Sequence, residues 1–190
     1  MLRRIGIFAA VAAALVVRFA VPAAADETAS IAVPSGVHYE LIGEWDVDRL
    51  NAILTQDTPK FFNLSVAYTP ARNPVALYRV TYDSVVPEKG NKPIVATGLL
   101  AVPQTGATHF PLVSYQHGTV YLKTQVPSIP EQSPETQLMI AQFAGQGYVL
   151  IGPDYFGMGN STEPEGYGVM ASQQQASVDM LLASKAVLAQ

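Results

Sequence analysis

Cysteine is absent from the sequence, and charged residues are few. The absence of cysteine excludes disulfide bonds, thiolate metal sites and lipidation of a cysteine. Charged residues make up 14% of the 190-residue chain, against 49% hydrophobic residues. This composition indicates a protein that buries a core and excludes a highly charged, disordered one. The length is enough for one domain.

Histidine and basic residues are also scarce, which limits the possible functions. The three histidines, His38, His109 and His117, are too scattered along the chain to predict a metal site. The formal net charge is −4, and the first 25 residues contain three arginines and no acidic residue. The rest of the chain is therefore more acidic than the total indicates. An acidic protein of this kind is not typical of nucleic-acid binding, and we expect no nucleic-acid partner.

The N-terminus has the pattern of a secretory signal peptide. Arg3 and Arg4 precede an apolar run, Ile5–Val17, which is too short to span a bilayer comfortably. Small residues ending at Ala25 provide a cleavage site. We predict that residues 1–25 are removed, and that the mature protein is secreted or periplasmic with no stable membrane anchor. An uncleaved interfacial helix is the alternative.

The segment after the predicted cleavage site has weak periodicity. Residues Asp26–Gly43 contain a proline and two glycines and are predicted to form a loose leader. Asp46 is a suitable N-cap for a short helix over Val47–Leu54. The segment Thr58–Pro74 is interrupted by prolines and is predicted to be irregular.

Two stretches then predict a β-hairpin. Val75–Val85 alternates between apolar and polar side chains, as a half-buried strand does. Pro93–Val102 is a second, more apolar strand, and the polar segment between the two is typical of a turn. Gly98, inside the second strand, indicates a bulge or a close approach of another backbone.

The remaining chain predicts parallel strands joined by a crossover helix. The strands are Leu112–Tyr115 and Tyr148–Ile151, and Glu135–Ala144 between them is predicted to be helical, ending at Gly145. Ala171–Leu188 is the clearest helix. The predicted fold class is therefore α/β, with an antiparallel hairpin leading into parallel strands. Right-handed crossovers place the loops that follow both parallel strands at one edge of the sheet.

These loops resemble those of the α/β-hydrolase family, most closely its secreted lipase and esterase branch. The resemblance covers roughly residues 75–190. Its motifs are Tyr115–Thr119 (Tyr-Gln-His-Gly-Thr), Asp154–Gly159 (Asp-Tyr-Phe-Gly-Met-Gly), the lead-in from Thr97–Leu99 to Val102–Pro103, and Ser177–Met180 in the last helix. It implies that residues 26–190 form the N-terminal portion of an α/β-hydrolase domain that ends before the nucleophile elbow. It also implies that the strand at Tyr148 lies between the hairpin and the strand at Leu112.

The family catalyses acyl transfer by a serine, a histidine and an acid, and uses no cofactor. In such enzymes the loop after the third strand supplies one backbone N–H of the oxyanion hole. The resemblance assigns that N–H to Thr119, with His117 and Gly118 shaping the turn. The alternative is that these residues only end a strand.

The second loop is expected to line the same site, through Asp154, Tyr155, Gly157 and Gly159. Asp154 is not expected to be the acid of the triad, because the family's acid follows the nucleophile in sequence. We expect it instead to accept backbone N–H bonds within the loop. Tyr155 either lines the pocket or packs against it, and the two glycines are expected to set the geometry of the loop.

The sequence departs from the family at the nucleophile. It contains no G-x-S-x-G pentapeptide, and no histidine late in the chain. We therefore expect none of the catalytic triad among these residues and predict that this chain alone is inactive. The resemblance implies part of a secreted serine hydrolase for small-molecule or lipid esters. The alternative is a non-catalytic, exported binding or envelope protein with the same part of the fold.

Overall fold

A computed structural model describes residues 36–189, so the predicted signal peptide lies outside the described part of the chain. Helices and strands follow one another as β1 His38–Trp45, α1 Val47–Ala52, a π-helical turn Ile53–Asp57, α2 Thr58–Phe62, β2 Val75–Val86, β3 Lys92–Pro103, β4 Leu112–Ser114, α3 Pro134–Phe143, β5 Val149–Pro153 and α4 Met170–Leu188. Short 3-10 turns lie at Pro87–Lys89, Pro130–Gln132 and Ala144–Gln146. Among the described helices none is both long and apolar enough to cross a membrane.

The strands form one mixed sheet in the order β1-β2-β3-β5-β4. β1, β2, β3 and β5 pair in antiparallel fashion, and β4 pairs with β5 in parallel. The predicted fold class is confirmed, as is the predicted position of β5 between the hairpin and β4. The order brings the carboxyl ends of β4 and β5 side by side at one edge of the sheet.

Helices cover both faces of the sheet. On one face, α1, the π-helical turn and α3 pack against the sheet, and the contacts include Leu50, Ile53, Leu77, Leu99, Ile140 and Leu150. On the other face, α4 packs against it through a cluster that includes Val80, Tyr82, Leu100, Ile151, Ala176 and Met180. Neighbouring residues of a strand therefore serve opposite layers, as the alternation of a pleated strand requires. Because both faces are covered, functional groups are left to the loops at the sheet edge.

The prediction of a loose leader is wrong for its C-terminal part, where β1 pairs with β2. Most side chains of β1 are exposed, because it is an edge strand. Its backbone bonds to β2 and a cross-strand ion pair of 2.7 Å between Glu40 and Arg79 hold it in place. A strand held in this way carries little apolar alternation, which is the signal by which strands are recognised in a sequence.

The prediction for the first helix is confirmed, whereas that for the following segment is wrong in part. Asp46 caps α1, since its side chain accepts a hydrogen bond of 2.7 Å from the Arg49 N–H. The segment predicted to be irregular begins with helix α2, in which Pro59 lies in the first turn. Proline is tolerated there because the first N–H groups of a helix have no partner within it.

The hairpin and the two long helices are confirmed with small changes at their ends. α3 does not end at Gly145 as predicted. It ends at Phe143 and continues as the 3-10 turn Ala144–Gln146, which is capped by Gly147, whose φ of 99° is the left-handed conformation favoured by glycine. Gly98 allows the close approach that its position predicts: a Cβ there would lie 2.6 Å from the Gly152 carbonyl oxygen and would also overlap the Met180 sulfur.

Candidate active site

Two loops meet at the carboxyl ends of the neighbouring strands β4 and β5. We call residues 115–130, which follow β4, the first loop, and residues 154–169, which follow β5, the second loop. Backbone contacts join them, including a 2.8 Å hydrogen bond from the Gly159 N–H to the Lys123 carbonyl oxygen. The Lys123 ammonium also donates to the Ser161 carbonyl oxygen. Both loops therefore lie at the same edge of the sheet, as right-handed crossovers predict.

A cavity of about 270 Å³ lies between the loops, near the lower end of the range for small-molecule sites. Four residues predicted for the site line it, namely His117, Gly118, Thr119 and Tyr155. The other lining residues are Gln116, Val120, Phe156, Met158, Glu165, Gly166, Tyr167 and Gln173. Asp154, Gly157 and Gly159 do not line it, although they belong to the same loop as Tyr155.

Of the first-loop residues that line the cavity, the neighbours Gly118 and Thr119 have backbone N–H groups with different surroundings. The Gly118 N–H donates to both oxygens of the Glu135 carboxylate, each at 3.2 Å. Within residues 36–189, the Thr119 N–H has no hydrogen-bond partner. The Thr119 hydroxyl lies 3.3 Å from the hydroxyl of Tyr167. The Thr119 N–H is therefore available to a ligand, whereas that of Gly118 is occupied.

The His117 side chain is buried between the loops, with 7% of its surface exposed. Its Nδ1 lies 3.0 Å from the Gly118 carbonyl oxygen, and its Nε2 lies 3.3 Å from the Asp154 carbonyl oxygen. The ring packs on that of Tyr155, with 4.4 Å between the centroids. These contacts fit the turn-shaping role expected of His117, because the ring holds its own turn against the second loop.

The Asp154 carboxylate is buried and points away from the cavity into a set of polar partners. It accepts hydrogen bonds from the Ser128 N–H at 2.8 Å, from the Ser128 hydroxyl at 2.5 Å and from the Thr97 hydroxyl at 2.5 Å. Burial raises the pKa of Asp154, and the hydrogen bonds from Ser128 and Thr97 oppose that rise. Asp154 thus joins both loops to β3. It accepts a backbone N–H as expected, but that N–H belongs to Ser128 of the first loop and not to its own loop.

The glycines of the second loop set its geometry. Gly157 has a φ of 88°, and a Cβ there would overlap the backbone of Glu165. Gly159 has a φ of 58°, and a Cβ there would lie 2.9 Å from an Asp154 carboxylate oxygen. Tyr155 has a φ of 59°, which is uncommon for a residue with a side chain. The loop therefore turns sharply enough to fold its far end back over Asp154.

No protein-family model matches the sequence, and no curated relative matches it either. Solved structures do match. A protein described as a hydrolase from Legionella pneumophila shares 27% identity, with a TM-score of 0.65, over 79% of this chain and 38% of its own. The rice cell wall degrading esterase LipA from Xanthomonas oryzae shares 25% identity, with a TM-score of 0.62, over 80% of this chain and 37% of its own. The chain has an α/β-hydrolase fold of the lipase and esterase type. It spans less than two fifths of the length of either match.

Some residues at the site of this hydrolase fold have no signal in the sequence. Gln116 accepts hydrogen bonds from the Ser177 hydroxyl at 2.6 Å and the Tyr155 hydroxyl at 3.3 Å. It also donates to the Ser114 hydroxyl at 2.8 Å. Gln116 lies within the Tyr115–Thr119 motif, but neither it nor Glu135 was predicted to be a site residue, because the contacts of Gln116 with Ser177 and Tyr155, and that of Glu135 with Gly118, join residues distant in sequence. The sequence signal at Glu135 is a general one: acidic residues are favoured in the first turn of a helix, and Glu135 lies in the first turn of α3.

The described part of the hydrolase fold holds no group of three or more histidine and acidic residues placed to bind a metal ion. In the same part of the chain, the ring nitrogens of His117 contact carbonyl oxygens, and Nδ1 of His109 lies 3.0 Å from the Thr108 hydroxyl. Neither ring is paired with a serine there. The group at this site that could take part in catalysis is the backbone N–H of Thr119, which lies beside the cavity.

Proposed function

We propose that this chain forms the N-terminal part of a secreted serine hydrolase that cleaves small-molecule or lipid esters. Its contribution is one donor of the oxyanion hole and one wall of the acyl pocket. The observation that carries the proposal is the Thr119 N–H, which lacks a partner within residues 36–189 and belongs to a residue that lines the cavity. Support comes from the hydrolase fold and from LipA, a solved match described as an esterase.

An oxyanion donor of this kind acts on the tetrahedral intermediate of acyl transfer. The negative charge that develops on the substrate oxygen is stabilised by N–H groups fixed in advance, because donors that must reorient during reaction lose much of their effect. In this fold, a second N–H comes from the residue after the nucleophile. The Gly118 N–H is occupied by Glu135, and the resemblance to the family assigns the donor on this side of the cavity to Thr119.

The nucleophile and the base of the proposed hydrolase lie outside these 190 residues. The sequence contains no G-x-S-x-G turn. We also propose that residues 1–25 are removed during export. N-terminal sequencing of the exported protein would then find Asp26 or a near neighbour first, whereas a mature protein that begins at Met1 would contradict cleavage.

Labelling with a fluorophosphonate tests the catalytic part of the proposal. We expect the purified 190-residue chain to remain unlabelled, since the reactive serine is absent. If the reading frame continues into a G-x-S-x-G turn, the longer product should be labelled at that serine. A genuine stop codon after Gln190 with no labelling would instead favour the non-catalytic binding protein, and labelling of the short chain would overturn its predicted inactivity.

Substitution of Thr119 tests its assigned role in the longer product. Thr119→Pro removes the N–H, and we expect kcat to fall by about 10²–10³-fold, the effect of losing one oxyanion donor. Thr119→Ala is the matched control, because it retains the N–H while removing the hydroxyl contact to Tyr167. Circular dichroism would confirm that both variants fold. Equal kcat values for the two folded variants would exclude Thr119 as the donor.

A further inference from the structure

Both ring nitrogens of His117 face oxygens that only accept hydrogen bonds. Nδ1 lies 3.0 Å from the Gly118 carbonyl oxygen, and Nε2 lies 3.3 Å from the Asp154 carbonyl oxygen. A neutral imidazole carries one N–H and one lone pair, so it can donate to one of these carbonyls and must direct its lone pair at the other. The doubly protonated ring donates to both.

The first of these carbonyls belongs to the peptide group that contains the candidate oxyanion donor. The Gly118 C=O and the Thr119 N–H are parts of one planar unit. A hydrogen bond that fixes the Gly118 oxygen therefore also fixes the direction of the Thr119 N–H. The second carbonyl, that of Asp154, starts the second loop, so the His117 ring connects the Thr119 peptide to a fixed point across the cavity.

We propose that His117, with both ring nitrogens protonated, is a positioning residue that locks the Gly118–Thr119 peptide against the second loop. The catalytic meaning of this lock rests on the proposed function, whereas the lock itself is a property of the fold. Deprotonation of the ring removes one of the two donors and releases either the Gly118 carbonyl or the contact with Asp154. The orientation of the Thr119 N–H thereby depends on pH.

Charged and titratable groups from two elements surround the ring. From the second loop, the buried Asp154 carboxylate belongs to the residue whose carbonyl receives Nε2, and attraction to a positive His117 partly opposes the burial that raises the pKa of Asp154. Also from the second loop, the Tyr155 ring lies against the imidazole, with 4.4 Å between the centroids. From α3, the Glu135 carboxylate binds the Gly118 N–H next to the locked peptide.

A pH titration followed by NMR tests the lock without requiring activity. In protein labelled with 15N, the ring nitrogens of His117 report its protonation, and the Thr119 amide reports the orientation of the peptide. We expect both His117 nitrogens to carry protons on the acidic side, and the Thr119 resonance to shift with the same midpoint as the ring when one proton is lost. His109 is the internal control, because its ring lies in an exposed contact with Thr108.

Two variants separate the lock from general effects of pH. His117→Phe keeps a ring against Tyr155 but has no donor, so the Thr119 amide should lose the step that follows His117. His109→Gln should leave that step unchanged. If His117→Phe does not fold, the wild-type titration decides by itself. A His117 ring that stays neutral throughout the folded range, or a Thr119 amide that does not respond when His117 titrates, would overturn the proposal.

Kinetics of the longer product distinguish this proposal from the function on which it rests. We expect His117→Phe to lower kcat by up to about 10²-fold, the effect of a displaced catalytic group, with little change in KM and with loss of an alkaline step in the pH profile. Coupled NMR titrations in a protein without esterase activity would support the lock and overturn the function. Esterase activity that depends on the Thr119 N–H, without coupled titrations, would do the reverse.

Discussion

The two loops at the candidate site are held in different ways. The second loop makes its own internal bonds: the Ser161 hydroxyl accepts from the N–H groups of Gly157 and Glu163, each at 3.2 Å. Glu163 also forms ion pairs with Lys89 at 3.0 Å and with Lys92 at 2.6 Å. The first loop also has internal bonds, from the N–H groups of Tyr121 and Leu122 to the Gln125 side chain at 3.1 and 3.0 Å. Its two ends, however, are held from outside: Glu135 accepts the Gly118 N–H, and Asp154 accepts the Ser128 N–H. Near its middle Tyr121 is 96% exposed.

This difference shows how the site divides its tasks. The second loop is a frame fixed to the sheet, and the first loop, which carries the proposed donor, takes its shape from that frame through His117, Ser128 and Lys123. Catalytic donors act best when their supporting groups are fixed beforehand. Damage to the frame should therefore disturb both loops, whereas damage to a contact of the first loop alone should remain local.

The largest effect is expected for Asp154→Ala, which removes the carboxylate that joins both loops to β3. It leaves the donors of Ser128 and Thr97 unsatisfied in a buried place, and we expect the free energy of unfolding to fall by about 2–4 kcal/mol. Asp154→Asn, which keeps one acceptor oxygen, should cost less. Chemical denaturation measures both, and hydrogen exchange should rise in the two loops together. Faster exchange in one loop only would contradict the division between frame and dependent loop.

The raised pKa of Asp154 makes the stability that this residue contributes depend on pH. Burial raises this pKa above its ordinary value of 3.8, so the folded state holds the proton more tightly than the unfolded state. The stabilising contribution of the protonated group is complete below 3.8 and is lost as the pH rises through the folded value. Melting temperatures measured against pH should show this loss in the wild type and not in Asp154→Asn. An identical profile for the two proteins would contradict it.

Gly157→Ala should have the next largest effect and should act on the frame itself. The added Cβ meets the Glu165 backbone at a φ of 88°, and we expect a loss of about 1–3 kcal/mol from crowding of this kind. Gly106→Ala is the matched control, because a Cβ there has no atom within 4 Å and the position has no positive φ. Thermal unfolding compares the two variants. If both variants lost similar stability, the second loop would tolerate rearrangement and would not act as a rigid support for the first loop.

Glu135→Leu should produce a smaller and more local effect. It removes the carboxylate that accepts the Gly118 N–H, and we expect a cost of about 0.5–1.5 kcal/mol, typical of one hydrogen bond. Glu135→Gln keeps an acceptor oxygen and should lie between the variant and the wild type. Hydrogen exchange of the Gly118 amide should accelerate while the second loop is unchanged. Faster hydrogen exchange in residues 154–169 as well would show that the first loop also stabilises the second loop.

Glu163→Gln should give the smallest effect, because the ion pairs that it breaks are at the surface. The hydrogen bonds from Lys92 and Lys89 hold the pKa of Glu163 below its ordinary value of 4.5. Its contribution is therefore present above pH 4.5 and is lost as the pH falls through the lower folded value. The difference in melting temperature between variant and wild type should shrink in acid and in high salt. Glu165→Gln is the matched control, because it removes a neighbouring carboxylate that forms no ion pair within residues 36–189.

The sequence predicts the parts of this molecule that depend on local patterns. The hairpin, α3 and α4 have apolar periodicity, and Gly157 and Gly159 of the second loop indicate sharp turns; the structure confirms these features. β1 was missed because its side chains are mostly exposed, and α2 was missed because Pro59 was taken only as a helix breaker. At the site, the contact of Gly118 with Glu135 and that of His117 with Asp154 could not be predicted, since each joins residues brought together only by the folded sheet.

The strand order also has a consequence for the time at which the site forms. β4 precedes β5 in the chain, yet β5 lies between β3 and β4, and within residues 36–189 β4 pairs with β5. β4 therefore has no strand to pair with until the chain beyond it has closed a long loop and placed β5 against β3. Closing that loop costs conformational entropy before the contacts of β4 with β5 can form. The peptide of Thr119, which follows β4 directly, is consequently among the last parts of the sheet edge to reach its place during folding.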